Sequence, residues 1–284
     1  MRIHNGEIGL EVTVDGSDDA PPVVLLHGII SSSRTWDWLV PDLARSRRVI
    51  RLDFRGHGAS DRAPGHYQTT DYVSDAVAVC EQVAGTPTPV IGHSLGGATA
   101  AALAQQRPDL VRGVLLEDAP LSDLERGEGS ADGNALLEAF RLMRESIPMM
   151  QSTGVTPDQL AQILATTPSP TGATFGEILL PDGVHTMAVG MLKVDATVLD
   201  GVLDGTIVPT FEFDQPITVP VTAVAADPAM PDAVMRPADL DRLTAESPDV
   251  ETVTMTGAGH MVHDSVSARD RFRDTVERFL ARVA

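Results

Sequence analysis

The stretch VIGHSLGGA at residues 90–98 limits the possible folds more than any other part of the chain. The run TPVIGH has the apolar character of a short strand buried on both faces, and LGGATAAALAQQ directly after it reads as a helix. Only Ser94 lies between them. So tight a joint forces backbone segments together, and Gly92 and Gly96, two residues to either side, remove the Cβ atoms that would obstruct it. The helix start also aims unpaired N–H groups at whatever the serine approaches, which favours a developing oxyanion. In this setting G-x-S-x-G predicts a strained turn that presents a nucleophile.

The surrounding chain repeats the same rhythm. The first fifteen residues alternate around NGE as a hairpin, and PPVVLLHG, RRVIRLDF and VRGVLLEDAP read as strands. Helices are expected at TWDWLVPDLARS and TTDYVSDAVAVCEQVAG. After Pro120 the pattern changes: residues 121–215 hold amphipathic segments such as NALLEAFRLMRESI, TPDQLAQILATT and VDATVLDGVLDG, but no convincing strand, and exceed an ordinary loop. A Gly/Asp/Ser-rich stretch, SDLERGEGSADGNA, opens this region and reads as mobile. From ITVPVTAVAADP the alternation resumes, with a strand at 220–226, a helix at PADLDRLTAES, the strand VETVTM and a last helix in VSARDRFRDTVERFLARV. The expectation is a mostly parallel sheet covered by helices on both sides, formed by residues 1–120 and 216–284, with an α-helical insertion over 121–215.

Charge narrows the partners. A formal net charge of −19, without any cluster of Lys or Arg, speaks against nucleic acid and anionic membranes. Cys80 is the single cysteine and sits at a helical core position, so neither a disulfide framework nor a cysteine metal site is expected. No basic stretch followed by an apolar core appears near the N-terminus, which reads as a soluble, cytoplasmic protein that acts as a monomer or homodimer on a small molecule.

A serine hydroxyl attacks only when a base takes its proton. Among the eight histidines, His260 in MTGAGHMVHD follows the last expected strand on a glycine-flanked loop and is the expected base, with His263 as the fallback. His27 and His93 read as structural or pocket-lining residues, and His57 as a loop support.

These residues carry a resemblance. HG at 27–28, DFRGHGASD at 53–61, GHSLGG at 92–97 and GAGH at 257–260, in that order, resemble the α/β-hydrolase superfamily over nearly the full length. The resemblance implies an eight-stranded, mostly parallel sheet with a helical cap, and a Ser/His/acid triad that needs neither cofactor nor metal. In most of the superfamily the acid follows the penultimate strand in G-x-x-D. Here Ala226 and Ala229 occupy those places, and only Asp227 is near. Around LEDAP and AADPAMP the chain is similar to zearalenone lactonases, whose acid follows the strand after the nucleophile's helix. That similarity implies Asp118, with Asp227 and Glu117 as alternatives. The oxyanion donors implied are the N–H groups of Leu95 and Ile29, with Gly28 as the alternative to Ile29. The cap implies a substrate pocket, for which Trp36, His93 and Met191 are candidates. Trp38, Met143, Met149, Met150 and Met187 are further candidates, and all the methionines could equally fill gaps between helices. The implied activity is cleavage of an apolar carboxylic ester or lactone. Carbon–carbon bond hydrolysis, perhydrolysis and a non-catalytic ligand-binding role are the alternatives.

Overall fold

The computed structural model describes residues 1–122, 135–207 and 210–284, so most of the Gly/Asp/Ser-rich stretch lies outside the described residues. β1 (Arg2–Asn5) and β2 (Ile8–Asp15) form the expected hairpin around Gly6, whose φ of +61° suits the turn. β3 (Pro22–Leu26), β4 (Arg48–Leu52), β5 (Thr88–His93), β6 (Val111–Glu117), β7 (Val221–Ala226) and β8 (Val250–Met255) complete one sheet in the order β1-β2-β4-β3-β5-β6-β7-β8. The pairings from β4 to β8 are parallel, and the β1–β2 and β2–β4 pairings are antiparallel.

Both faces of the central strands are buried, which is why they read as continuous apolar runs. On β3, Val23 and Leu25 pack with Trp36, Phe272 and Phe279 on one face, whereas Val24 and Leu26 join the larger core on the other. The first face is covered by α10 (Arg269–Arg282) and by α1 (Val40–Leu43). The second carries α2 (Thr69–Val79) and α3 (Leu95–Gln106). α9 (Pro237–Glu246) links β7 to β8.

The helix expected at TWDWLVPDLARS is instead a 3-10 turn at Ser33–Trp36 followed by the single turn of α1. Pro41 is the second residue of α1. Its missing N–H and its ring prevent one helix from running through from Trp36.

Between β6 and β7 the described residues form α4 (Ala135–Ser152), α5 (Pro157–Ala165), α6 (Phe175–Ile178), α7 (Pro181–Lys193) and α8 (Asp200–Leu203). The only β pairing within this segment is the isolated bridge Pro168–Thr174, among the described residues. α5 starts at a capping box in which Thr156 and Gln159 satisfy each other's backbone N–H groups. Of the described helices, none is long and apolar enough to cross a membrane. Cys80 is buried, and burial pushes its thiol up to about 12, far from a reactive thiolate.

Candidate active site

Ser94 lies between β5 and α3 with φ of +52°, a region that a non-glycine residue occupies only when its surroundings hold it there. Two backbone bonds supply that hold. Its N–H donates to Glu117 O at 2.8 Å on the neighbouring strand, and its carbonyl accepts from Ala98 N–H at 2.9 Å. Glycine is required on both sides: a Cβ on Gly92 would run into the Gly96 carbonyl, and one on Gly96 into the carbonyls of Leu26 and His27.

The loop after β8 brings His260 to Ser94. Its Nε2 accepts from the Ser94 hydroxyl at 3.0 Å, and its Nδ1–H donates to Asp118 Oδ2 at 2.7 Å. Asp118 follows β6 and is fully buried, with φ of +39°. The loop after β7, which lacks the usual aspartate, supplies N–H groups instead. Ala226 (3.2 Å) and Met235 (3.0 Å) donate to Oδ1, and Val234 (3.0 Å) donates to Oδ2. Four donors satisfy both oxygens of this buried carboxyl group, which offsets the cost of burying it.

The alternatives to Asp118 are engaged elsewhere. Asp227 is half-buried and accepts from the backbone N–H groups of Gly257 and Ala229, which hold its carboxyl below the usual range. Glu117 is paired with His263 through Nδ1 at 2.8 Å and 2.9 Å, and also accepts the His263 backbone N–H. The fallback histidine and the fallback acid therefore form a second, buried pair behind the first. Thr35 Oγ1 lies 2.7 Å from His263 Nε2, and Trp36 packs against the ring with centroids 4.6 Å apart.

His93 stands between the two pairs, with ring centroids 4.8 Å from His260 and 4.9 Å from His263. Its Nε2–H donates to the His260 carbonyl at 3.2 Å, which steadies the loop. His93, Glu117 and His263 also form the one group of potential metal ligands among the described residues. Their hydrogen bonds to one another's loops and to Thr35 already use these atoms, so the cluster reads as a polar core.

The loop after β3 carries Ile29 and the start of α3 carries Leu95, the two expected oxyanion donors. Among the described residues, nothing accepts the backbone N–H of Ile29 or of Leu95. Gly28 packs so closely on His93 that a Cβ there would lie 2.7 Å from Nδ1. Two neutral imidazoles fix this loop. Ile30 N–H donates to His57 Nε2 at 3.2 Å, so His57 Nδ1 must carry the proton it gives to Arg55 O. Phe54 N–H donates to His27 Nε2 in the same way, and His27 Nδ1–H donates to Gly28 O.

Burial holds His27 down at about 4, and burial with the neighbouring His27 holds His57 at about 3. Burial, then His260 and His263, likewise keeps His93 well below its ordinary value. At His263 burial opposes the charge, but the Glu117 and Asp264 carboxylates outweigh it and raise the pKa. The signs then differ. Below about pH 6.5 the unfolded chain protonates His27, His57 and His93 while the fold does not, a loss of about 1.4 kcal/mol per pH unit for each. Stability from His263 is present below about 6.5 and is lost as pH rises through its raised value. Thermal midpoints should therefore peak near neutrality and fall on both sides, with His57→Asn flattening the acid limb; an acid limb unchanged in that variant would contradict the assignment.

Two cavities open at Ser94. One of about 290 Å³ lies between α2, α3 and α8, and one of about 120 Å³ lies beneath α4 and α7; Ile29, Ser94, Leu136 and Phe140 line both. Met191, His93, Met143 and Met187 line the smaller one. Trp36 lines neither. It is fully buried on the opposite face of the sheet against Phe272, because the 3-10 turn directs it down into the core, so its expected place in the pocket is corrected. Trp38 packs on that same face with the Arg269 guanidinium 4.7 Å from its ring, and Met149 is exposed. Met150 packs on the core without reaching either cavity. The cavity walls Phe140, Ile207 and Phe211 carry no motif that would single them out in the sequence.

A sequence model of the family described as the alpha/beta hydrolase fold matches residues 21–265. Among curated relatives, the sn-1-specific diacylglycerol lipase ABHD11 of Mus musculus is 27% identical over 274 residues, covering 94% of this chain and 83% of its own length. The 2-(acetamidomethylene)succinate hydrolase of Mesorhizobium japonicum is 35% identical over 117 residues, 41% of each chain. Of the solved structures, the enol-lactonase from Burkholderia xenovorans LB400 has a TM-score of 0.74 at 20% identity, over 99% of this chain and 100% of that one. With its eight-stranded sheet and a family match over most of its length, the chain belongs to the α/β-hydrolase-fold family, and the family match with the relatives named above supports hydrolase activity.

Proposed function

We propose that this chain is a serine hydrolase of apolar carboxylic esters, with Ser94 as nucleophile, His260 as base and acid, and Asp118 as the group that orients His260. The observation that carries the reading is the unbroken relay from Asp118 through His260 to Ser94, at 2.7 Å and 3.0 Å. Ser94 Oγ bonds to the ester carbonyl carbon as its proton passes to His260 Nε2, and the carbonyl electrons move onto oxygen, where the N–H groups of Ile29 and Leu95 stabilise the charge. As the tetrahedral centre collapses, the C–O bond to the alcohol breaks and His260 returns the proton to the leaving oxygen. Water then repeats the sequence on the acyl-enzyme: His260 takes its proton, the acid departs and Ser94 regains its hydrogen.

The helices of the 121–215 insertion act as a cap that walls the site, since α4, α7 and α8 supply residues to the cavities. Neither cavity is lined by Lys or Arg among the described residues, which favours an uncharged substrate over the dicarboxylate named for one relative. The lipase name of a relative aligned over most of the chain points the same way.

The reading predicts steady hydrolysis of 4-nitrophenyl esters, with turnover unchanged after dialysis against a chelator. Turnover of a β-diketone without any ester hydrolysis would replace it with carbon–carbon bond chemistry.

A further inference from the structure

The two cavities that meet at Ser94 differ in size and in which catalytic group they contain. The smaller, of about 120 Å³, is lined by His260 together with Met143, Phe175, Met187 and Met191. The larger, of about 290 Å³, has no contact with His260 and is lined by Leu95, Ala98, Leu121, Val202 and Phe211. Chemistry assigns them. The proton that His260 Nε2 takes from Ser94 must be returned to the departing alcohol oxygen, so that oxygen and what it carries must lie on the His260 side. The carbonyl oxygen faces Leu95 N–H at the start of α3, and Leu95 belongs to the larger cavity alone. The acyl substituent then extends away from His260 into the larger space.

We infer that the enzyme selects esters in which a long or branched apolar acyl group is joined to a small, uncharged alcohol. Among the described residues Asp232 is the one carboxylate that lines the alcohol cavity, and no Lys or Arg offsets it there. An anionic leaving group is therefore disfavoured, as like charge and desolvation both oppose it. This inference rests on the serine hydrolase reading above.

Isomeric esters separate the two compartments, because total apolar surface is held constant. Ethyl octanoate and octyl acetate differ only in which side of the carbonyl carries the long chain. The expected result is a kcat/KM for ethyl octanoate at least ~10-fold above that for octyl acetate, the scale on which pocket shape discriminates apolar groups. Val202→Trp, which narrows the acyl side, should lower the kcat/KM ratio of ethyl octanoate to ethyl acetate by ~10-fold or more. Met187→Trp, on the alcohol side, should lower the kcat/KM ratio of butyl acetate to ethyl acetate by ~10-fold or more without lowering the ratio of ethyl octanoate to ethyl acetate. An unchanged circular dichroism spectrum and thermal midpoint report that each variant is folded. Equal or reversed preference between the isomers, or exchanged effects of the two variants, would overturn the assignment while Ser94 still labels with a fluorophosphonate. Failure of Ser94 to label, with no ester hydrolysed, would overturn both this inference and the reading beneath it.

Discussion

Ser94→Ala is expected to lower kcat/KM for any ester substrate by about 10³-fold or more, the scale of losing a nucleophile that acts as a unit with its base. The substitution removes one oxygen and little else. The Ser94 hydroxyl makes a single hydrogen bond, to His260 Nε2, whereas the bonds that hold the elbow run through the backbone to Glu117 and Ala98. Alanine can keep both backbone bonds. The φ of +52° is as costly for alanine as for serine, so the strain cancels in the comparison. The thermal midpoint should thus move by no more than about 1 kcal/mol of stability is worth. A large activity loss with an unchanged melt separates chemistry from folding; activity above about a tenth of wild type would place the nucleophile elsewhere.

Asp118→Asn is expected to cost about 10²- to 10⁴-fold in kcat, and Asp227→Asn no more than about 2-fold. Asp118 accepts from four N–H donors, two on each oxygen. An asparagine must turn its NH₂ towards two of them whichever way it is placed. If it faces Oδ2's partners, His260 loses its acceptor and is pushed to the tautomer whose Nε2 carries a hydrogen, so it cannot accept the proton of Ser94. If it faces Oδ1's partners, the N–H groups of Ala226 and Met235 lose theirs in a buried site, and the imidazolium formed in the reaction still lacks its counter-charge. Asp227 is half-buried and, among the described residues, bonds only backbone N–H groups on its own loop and on Gly257, contacts that asparagine can partly keep. Equal losses in the two variants, or a greater loss at Asp227, would move the acid to the β7 loop.

The elbow was legible in the sequence because everything that makes it is local: an apolar strand, one serine, two glycines and an alanine-rich helix within residues 88–106. The mostly parallel sheet follows from the alternation of strands and helices. Asp118 was legible for another reason, since the vacancy at Ala226 and Ala229 pointed away from the β7 loop. That this loop turns its own N–H groups on to Asp118 could not be read, because backbone donors have no residue code.

Side-chain direction was harder. Trp36 lies close in sequence to the Ile29 loop, yet the 3-10 turn at Ser33–Trp36 sends it to the opposite face of the sheet. Glu117 and His263 were each weighed alone, as a spare acid and a spare base. Their pairing joins the end of β6 to the loop after β8, a contact 146 residues apart that no local pattern encodes. The cavity walls supplied by α4, α7 and α8 depend on helix rotation, and amphipathic spacing leaves open whether a methionine faces a cavity or a gap between helices.

The central claim, that Ser94 is a nucleophile activated by His260 and Asp118, is tested most directly by treating the folded protein with a fluorophosphonate and locating the adduct by peptide mass mapping. The account predicts one equivalent of label on the peptide containing Ser94, lost in Ser94→Ala and slowed by about 10²-fold or more in Asp118→Asn. Folded, ester-hydrolysing protein that carries no label at Ser94, or carries it on another residue, would contradict it.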